Sequence, residues 1–243
     1  MKVAICVSGL LYQDSPKLIE LLKARFPDYD LFMGTWESHR SDMSEGLGCM
    51  HFPEPEMHYH PYSDIVLEEP FERFDFIREK AARLKAEGKD WSWMDKALHQ
   101  TKQILIHSHM LDSIADDYDM IIRARFDLYL YDPKIPFEKF IEESYVESKA
   151  VGFSKRLSNL GAKYWSAKNT HRHTWWDRFL MDLMICHPRS LFDKARMEML
   201  HREKKLQAAE FGWYQVLSET HGSNHDCYFA RMSMTSRDGY AKI

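Results

Sequence analysis

An α/β fold with a mostly parallel central sheet flanked by helices is predicted by three stretches near the start of the chain. Residues 3–7 (VAICV) are a continuous apolar run stopping at Ser8-Gly9, the pattern of a strand covered on both faces that feeds a tight loop. Ser15-Pro16 then offers an N-cap and a favoured first helical residue. Leu18, Ile19, Leu21, Leu22 and Phe26 give that helix its buried stripe, and Pro27-Asp28 stops it. Residues 29–36 (YDLFMGTW) read as a second strand, followed by a polar loop through Glu45. Strand, helix, strand is a βαβ unit, and a βαβ unit requires parallel pairing.

The remaining elements follow from periodicity and punctuation. Residues 56–62 alternate as a third strand would, with Met57 and Tyr59 set against His58 and His60. Two helices are expected over 71–87 and 91–112, each with apolar residues at helical spacing. On the second, Gln100, Gln103 and His107 form one polar stripe, which is either solvated surface or a face turned to a site. Residues 137–140 look like a short amphipathic turn and 145–153 like a further strand. Residues 154–175 carry aromatics, Lys and Asn without apolar period, as substrate-binding loops often do. An apolar run at 180–186 follows. Helices are expected from Pro188 to about 205 and over 208–220, and a closing strand over 227–234.

Composition narrows the function classes. With 44% hydrophobic and 29% charged residues, the 243-residue chain can bury a sizeable core, and no linker or internal repeat divides it. Residues 1–243 are therefore expected to form one domain. A net charge of −4, with neither half strongly basic, argues against a duplex nucleic-acid binder. No apolar run approaches the roughly 18 residues of a membrane span, and MKVAICVSGL is too short for a signal peptide. Cys6, Cys49, Cys186 and Cys227 form no C-x-x-C pair, which fits buried thiols in a reducing, cytoplasmic setting. There is no G-x-G-x-x-G and no G-x-x-x-x-G-K-[ST], so neither a dinucleotide-binding domain nor a P-loop is expected.

The stretch with the most chemistry is 118–131, YDMIIRARFDLYLY. An apolar run leads into Arg123, Arg125 and Asp127 at alternate positions, which share one face if the strand continues through them. Charges at the end of a buried strand are costly unless they are paired or functional. The stretch is either an internal Arg–Asp salt bridge at the sheet edge or a site for an anionic ligand, with Asp127 on a metal or a sugar hydroxyl. Ser8, Gly9, Thr35 and Trp36 also stand at strand ends, where open α/β sheets bind ligands. Three H-x-H pairs, His58/His60, His107/His109 and His171/His173, raise a rival reading as a His-metal hydrolase.

Three segments together resemble a family: KVAICVSGL at 2–10, DLFMGTW at 30–36 and YDMIIRARFDLYL at 118–130, with Asp177-Arg178-Phe179 before a later apolar run. They are similar, in this order, to small GT-A-fold glycosyltransferases of viral, phage and bacterial polysaccharide loci. The chain departs from that pattern where Arg125-Phe126-Asp127 replaces the usual D-x-D. Leu10-Leu11 and Arg178 depart from it too, standing where polar residues and Gln are usual.

The resemblance implies a single GT-A-like (Rossmann-like) domain that moves a sugar from a nucleotide-sugar donor to a glycan acceptor, in the cytoplasm or, for a viral member, a host's cytoplasm. It implies that Ser8 and Gly9 cradle the nucleoside, with Thr35, Trp36, Gln100 and Gln103 nearby. Asp127 would hold Mn²⁺ or Mg²⁺, or the donor sugar, and Arg123 and Arg125 would fork onto phosphate oxygens. Asp177 is the candidate general base, with Asp182 second, and Trp175 and Trp176 would stack on the acceptor sugar. A non-catalytic carbohydrate-binding protein of the same fold is the third reading.

Overall fold

The computed structural model describes residues 1–55, 75–88, 94–130, 137–155, 165–166, 180, 182–203, 205–206, 209–219, 225–230 and 232–234. The described strands are β1 (Val3–Ser8), β2 (Asp30–Trp36), β3 (Met50–Phe52), β4 (Met120–Arg125) and β5 (Leu128–Leu130), then β6 (Ala150–Lys155), β7 (Trp165–Ser166), β8 (Met184–Pro188), β9 (His225–Ala230) and β10 (Met232–Met234). The helices are α1 (Ser15–Arg25), α2 (Asp42–Gly46), α3 (Asp75–Ala86), α4 (Met94–Ser113), α5 (Phe137–Val146), α6 (Lys194–Arg202) and α7 (Ala209–Leu217).

Eight strands form one sheet in the order β3-β2-β1-β4-β8-β6-β9-β7, and β5 pairs with β10 in a separate two-stranded sheet. The block β3-β2-β1-β4 is wholly parallel. Beyond it, β8 runs antiparallel between β4 and β6, while β9 pairs parallel with β6. This is the mostly parallel, Rossmann-like α/β sheet the sequence predicts.

Side-chain alternation along β1 and β4 divides the core in two. Val3, Ile5 and Val7, with Met120, Ile122 and Ala124, pack against Leu18, Ile19 and Leu22 of α1 and Phe137, Phe140 and Ile141 of α5. Ala4, Cys6 and Ile121 face the other way, onto Ile104 and Met110 of α4 and Trp213 and Val216 of α7. Ser8, Arg123 and Arg125 continue this second face. Among the described residues no helix is long and apolar enough to cross a membrane.

Several elements depart from expectation. A third strand lies at Met50–Phe52, and the segment expected to form one, 56–62, lies outside the described residues. The polar loop after β2 contains the short helix α2, capped reciprocally by Ser41 and Ser44. Phe137–Val146 is a ten-residue helix rather than a short turn, because Phe137, Phe140, Ile141 and Ser144 recur at helical spacing on its buried side. Tyr145 and Val146 are its exposed end, so β6 begins only at Ala150. Helix α6 starts at Lys194, after a 3₁₀ turn at Arg189–Leu191.

Packing between α4 and the sheet is tight at Gly34. A Cβ there would lie 2.8 Å from Met110 Sδ and 2.9 Å from its Cγ. Gly34→Ala should therefore destabilise the protein by about 1–3 kcal/mol in urea denaturation. Shortening Met110 in the same background should recover part of that loss, as a double-mutant cycle would show.

Candidate functional site

The strand order reverses at β1: the chain builds outward to β2 and β3, then returns to place β4 on the other side. In open α/β sheets such a switch opens a crevice beyond the carboxyl ends of the two strands. Ser8 ends β1, Arg125 ends β4, and the two are direct partners across the parallel pair. Ser8 is fully buried, and its Oγ has no hydrogen-bond partner among the described residues.

Gly9 follows with φ of 122°, a conformation that side chains other than glycine rarely adopt. Its N–H donates to the Gly34 carbonyl (3.2 Å), and its own carbonyl accepts from the Thr35 hydroxyl (3.0 Å). A Cβ on Gly9 would lie 2.7 Å from Gln103 Nε2 and 2.8 Å from Oε1. The close approach this glycine permits is thus that of the Gln103 amide, delivered by α4. Thr35 props the loop, and Trp36 is buried edge-on to His109 (6.1 Å).

Two arginines occupy the end of β4 at different depths. Arg123 is fully enclosed. Its Nη1 donates to the Asp182 backbone carbonyl and its Nη2 to Gln103 Oε1 (3.2 Å), and its guanidinium lies 4.9 Å from the centre of the Trp213 ring. Burial lowers it to about 10, against the pull of Asp182, so it keeps its charge at neutral pH. These protein contacts occupy the edge expected to fork onto phosphate.

Arg125 is the outer member. Its Nε and Nη2 donate to Asp127 Oδ1 (2.8 Å) and Oδ2 (2.7 Å), and its Nη1 lies 3.5 Å from Asp182 Oδ2. Burial opposes its charge, but Asp127 and Asp182 more than compensate, and its pKa is raised. Its side chain keeps 20% of its surface exposed, against 6% for Asp127 and 7% for Asp182. Arg125 is therefore the charge of this cluster that a ligand can reach.

Asp127 arrives differently from the sequence expectation. β4 ends at Arg125, Phe126 and Asp127 turn, and β5 departs to pair with β10. The carboxylate folds back onto Arg125 from that turn, at the end of a central strand rather than at a sheet edge. Asp182, expected only as a second candidate base, stands just before β8 beside Arg125. Its Oδ2 is buried without a hydrogen-bond partner among the described residues. Trp213 had no sequence signal beyond an apolar helix. Gln100 lies on α4 with its side chain outside the described part, and Trp175, Trp176 and Asp177 lie outside the described residues.

The one described histidine pair, His107 and His109, does not assemble as a chelate. His107 and His109 diverge: His109 stacks on Phe52 (5.5 Å), whereas His107 meets His187, Nε2 to Nε2, at 3.2 Å. His58, His60, His171 and His173 lie outside the described residues. Among the described residues no three His, Cys, Asp or Glu side chains come together as a metal-binding group. Both Asp127 oxygens accept from Arg125, and Asp182 faces the same guanidinium. Mn²⁺ or Mg²⁺ between those carboxylates would lie against a fixed positive charge, so the described donor set does not fit a divalent ion.

No protein-family model and no curated protein sequence matches this chain. Solved structures are similar to it in overall shape. A197 from STIV has 11% identity and a TM-score of 0.43, over 100% of this chain and 94% of that one. A structure titled mannose-1-phosphate geranyltransferase, from Thermus thermophilus, also has 11% identity and a TM-score of 0.43, over 96% and 75% of the two chains. A putative glucose-1-phosphate thymidylyltransferase from Bacillus anthracis, in complex with sucrose, has 8% identity and a TM-score of 0.46, over 98% and 92%. Scores this low carry no chemistry, which rests on the residues above.

The buried histidine pair predicts a pH dependence. The carbonyl of Pro188 can only accept, so His187 Nδ1 carries the proton (2.8 Å) and His187 Nε2 accepts from His107 Nε2–H. Burial pushes His107 well below 6.5 and His187 down to about 4, with the positive charge of Arg189 adding to both. Below pH 6.5 the unfolded chain binds these protons and the folded chain does not, so stability should fall as pH drops from about 6.5 towards 4. For His187 alone the loss is on the order of 3 kcal/mol by the lower limit. Urea denaturation across that range should show the slope, and His187→Gln should make it shallower, leaving the share of His107.

Proposed function

We propose that residues 1–243 act as a single GT-A-like domain that transfers a sugar from a nucleotide-sugar donor to a glycan acceptor, as in polysaccharide biosynthesis. The observation that carries this reading is the meeting of Ser8, Arg125, Asp127 and Asp182 at the switch between β1 and β4. A glycosyltransferase must hold an anionic diphosphate and stabilise the charge that grows on it as the sugar leaves. Arg125 offers a fixed guanidinium with an exposed edge for that purpose, and Asp127 fixes its orientation by a bidentate contact. The nucleoside then lies on the Ser8 side of the crevice.

Asp182 suits the acceptor half of the reaction. Among the described residues its Oδ2 is held by the 3.5 Å approach of Arg125 and has no hydrogen bond, which an acceptor hydroxyl would supply. In the transfer, the acceptor oxygen bonds to the sugar's anomeric carbon, the bond from that carbon to the diphosphate breaks, and the hydroxyl proton passes to Asp182. Asp177 remains the other candidate base, beside Trp175 and Trp176 as stacking platforms for the acceptor. Arg125 takes the place in this reading that Mn²⁺ or Mg²⁺ holds in the family resemblance.

A panel of nucleotide sugars tests the proposal by thermal shift and turnover. At least one donor should raise the melting temperature, and EDTA should leave that shift unchanged. Arg125→Lys keeps the charge but loses the fork, and should weaken donor binding about tenfold or more. Asp182→Asn should bind the donor normally yet turn over about 100-fold more slowly. No shift with any donor, with stabilisation by zinc instead, would contradict the proposal.

A further inference from the structure

We infer that Gln103 presents a hydrogen-bond donor to an acceptor oxygen of the ligand at the Ser8–Gly9 loop. The inference rests on the proposed function and adds which chemical group the loop reads. The two ends of a glutamine amide are alike in shape, and the hydrogen-bond partner decides which is which. Arg123 has only donors, so the end of Gln103 facing its Nη2 at 3.2 Å is the oxygen. The amide lies over Gly9 with both ends close to it, and Nε2 has no hydrogen-bond partner among the described residues. The enclosed Arg123 thus fixes the polarity of a side chain that is itself only partly buried.

The neighbouring groups leave this role to Gln103. The Gly9 N–H is taken by Gly34, and its carbonyl, which accepts from Thr35, can only accept again, so that residue's backbone offers a ligand no donor. Ser8 Oγ, buried and without a partner among the described residues, can donate or accept according to what faces it. Gln103 cannot adapt in this way without breaking its contact with Arg123. A group bound against its Nε2 must therefore accept: an oxo oxygen of a nucleobase or a phosphoryl oxygen. An exocyclic amino group would set donor against donor.

Titration calorimetry with UDP, CDP and inorganic pyrophosphate tests this on the wild type, Gln103→Leu and Gln103→Glu. UDP and CDP differ in an oxo against an amino group on the base. Gln103→Leu should weaken the tightest wild-type ligand about tenfold or more. Gln103→Glu keeps acceptors towards Arg123 while removing the donor, and should weaken that ligand at least as much with the melt preserved. Loss confined to UDP assigns the contact to the base oxygen, whereas equal loss for all three assigns it to a phosphoryl oxygen. Binding to Gln103→Leu within twofold of wild type overturns this inference alone. Absence of binding of all three to the wild type overturns this inference, whereas the proposed function falls only if the nucleotide-sugar panel is silent as well.

Discussion

A fully buried guanidinium, that of Arg123, is the constraint on which the candidate site depends. A charge removed from water costs several kcal/mol unless partners replace the lost hydration. Here the partners come from three elements: the carbonyl of Asp182 at the entry to β8, the Gln103 amide on α4 and the Trp213 ring on α7. These contacts therefore fix where Asp182 stands at the entry to β8 and which way Gln103 points. It also explains why residue 9 must be glycine, since Gln103 is held against its Cα.

The outer charges are arranged for exchange. Arg123, Arg125, Asp127 and Asp182 balance one another, so an anion enters only by sharing a guanidinium with a carboxylate. The two carboxylates are held unequally. Asp127 takes two hydrogen bonds from Arg125, whereas Asp182 has a 3.5 Å charge contact and no hydrogen bond to its Oδ2 among the described residues. Asp182 is therefore the more loosely held of the two partners of Arg125.

Much of this frame was legible in the sequence. The β1–α1–β2 unit, the parallel sheet and the strand-end positions of Ser8, Gly9 and Arg125 follow from apolar runs and punctuation alone. Three-residue β3 is too short to show a period. Helix α5 was obscured by Tyr145-Val146, whose strand-favouring side chains are merely its exposed end. Alternation through Asp127 implied one long strand because nothing local reveals that Leu128–Leu130 joins a different sheet. The partners of Arg123 were beyond reach for a similar reason: Trp213 and Asp182 are distant in sequence and come near it only through packing.

A crystal structure with a bound nucleoside diphosphate would test the central claim most directly. The account predicts phosphate oxygens within hydrogen-bond reach of Arg125 and the nucleoside against Ser8, at the carboxyl ends of β1 and β4. A diphosphate bound elsewhere, with the Arg125–Asp127–Asp182 cluster untouched, would contradict it.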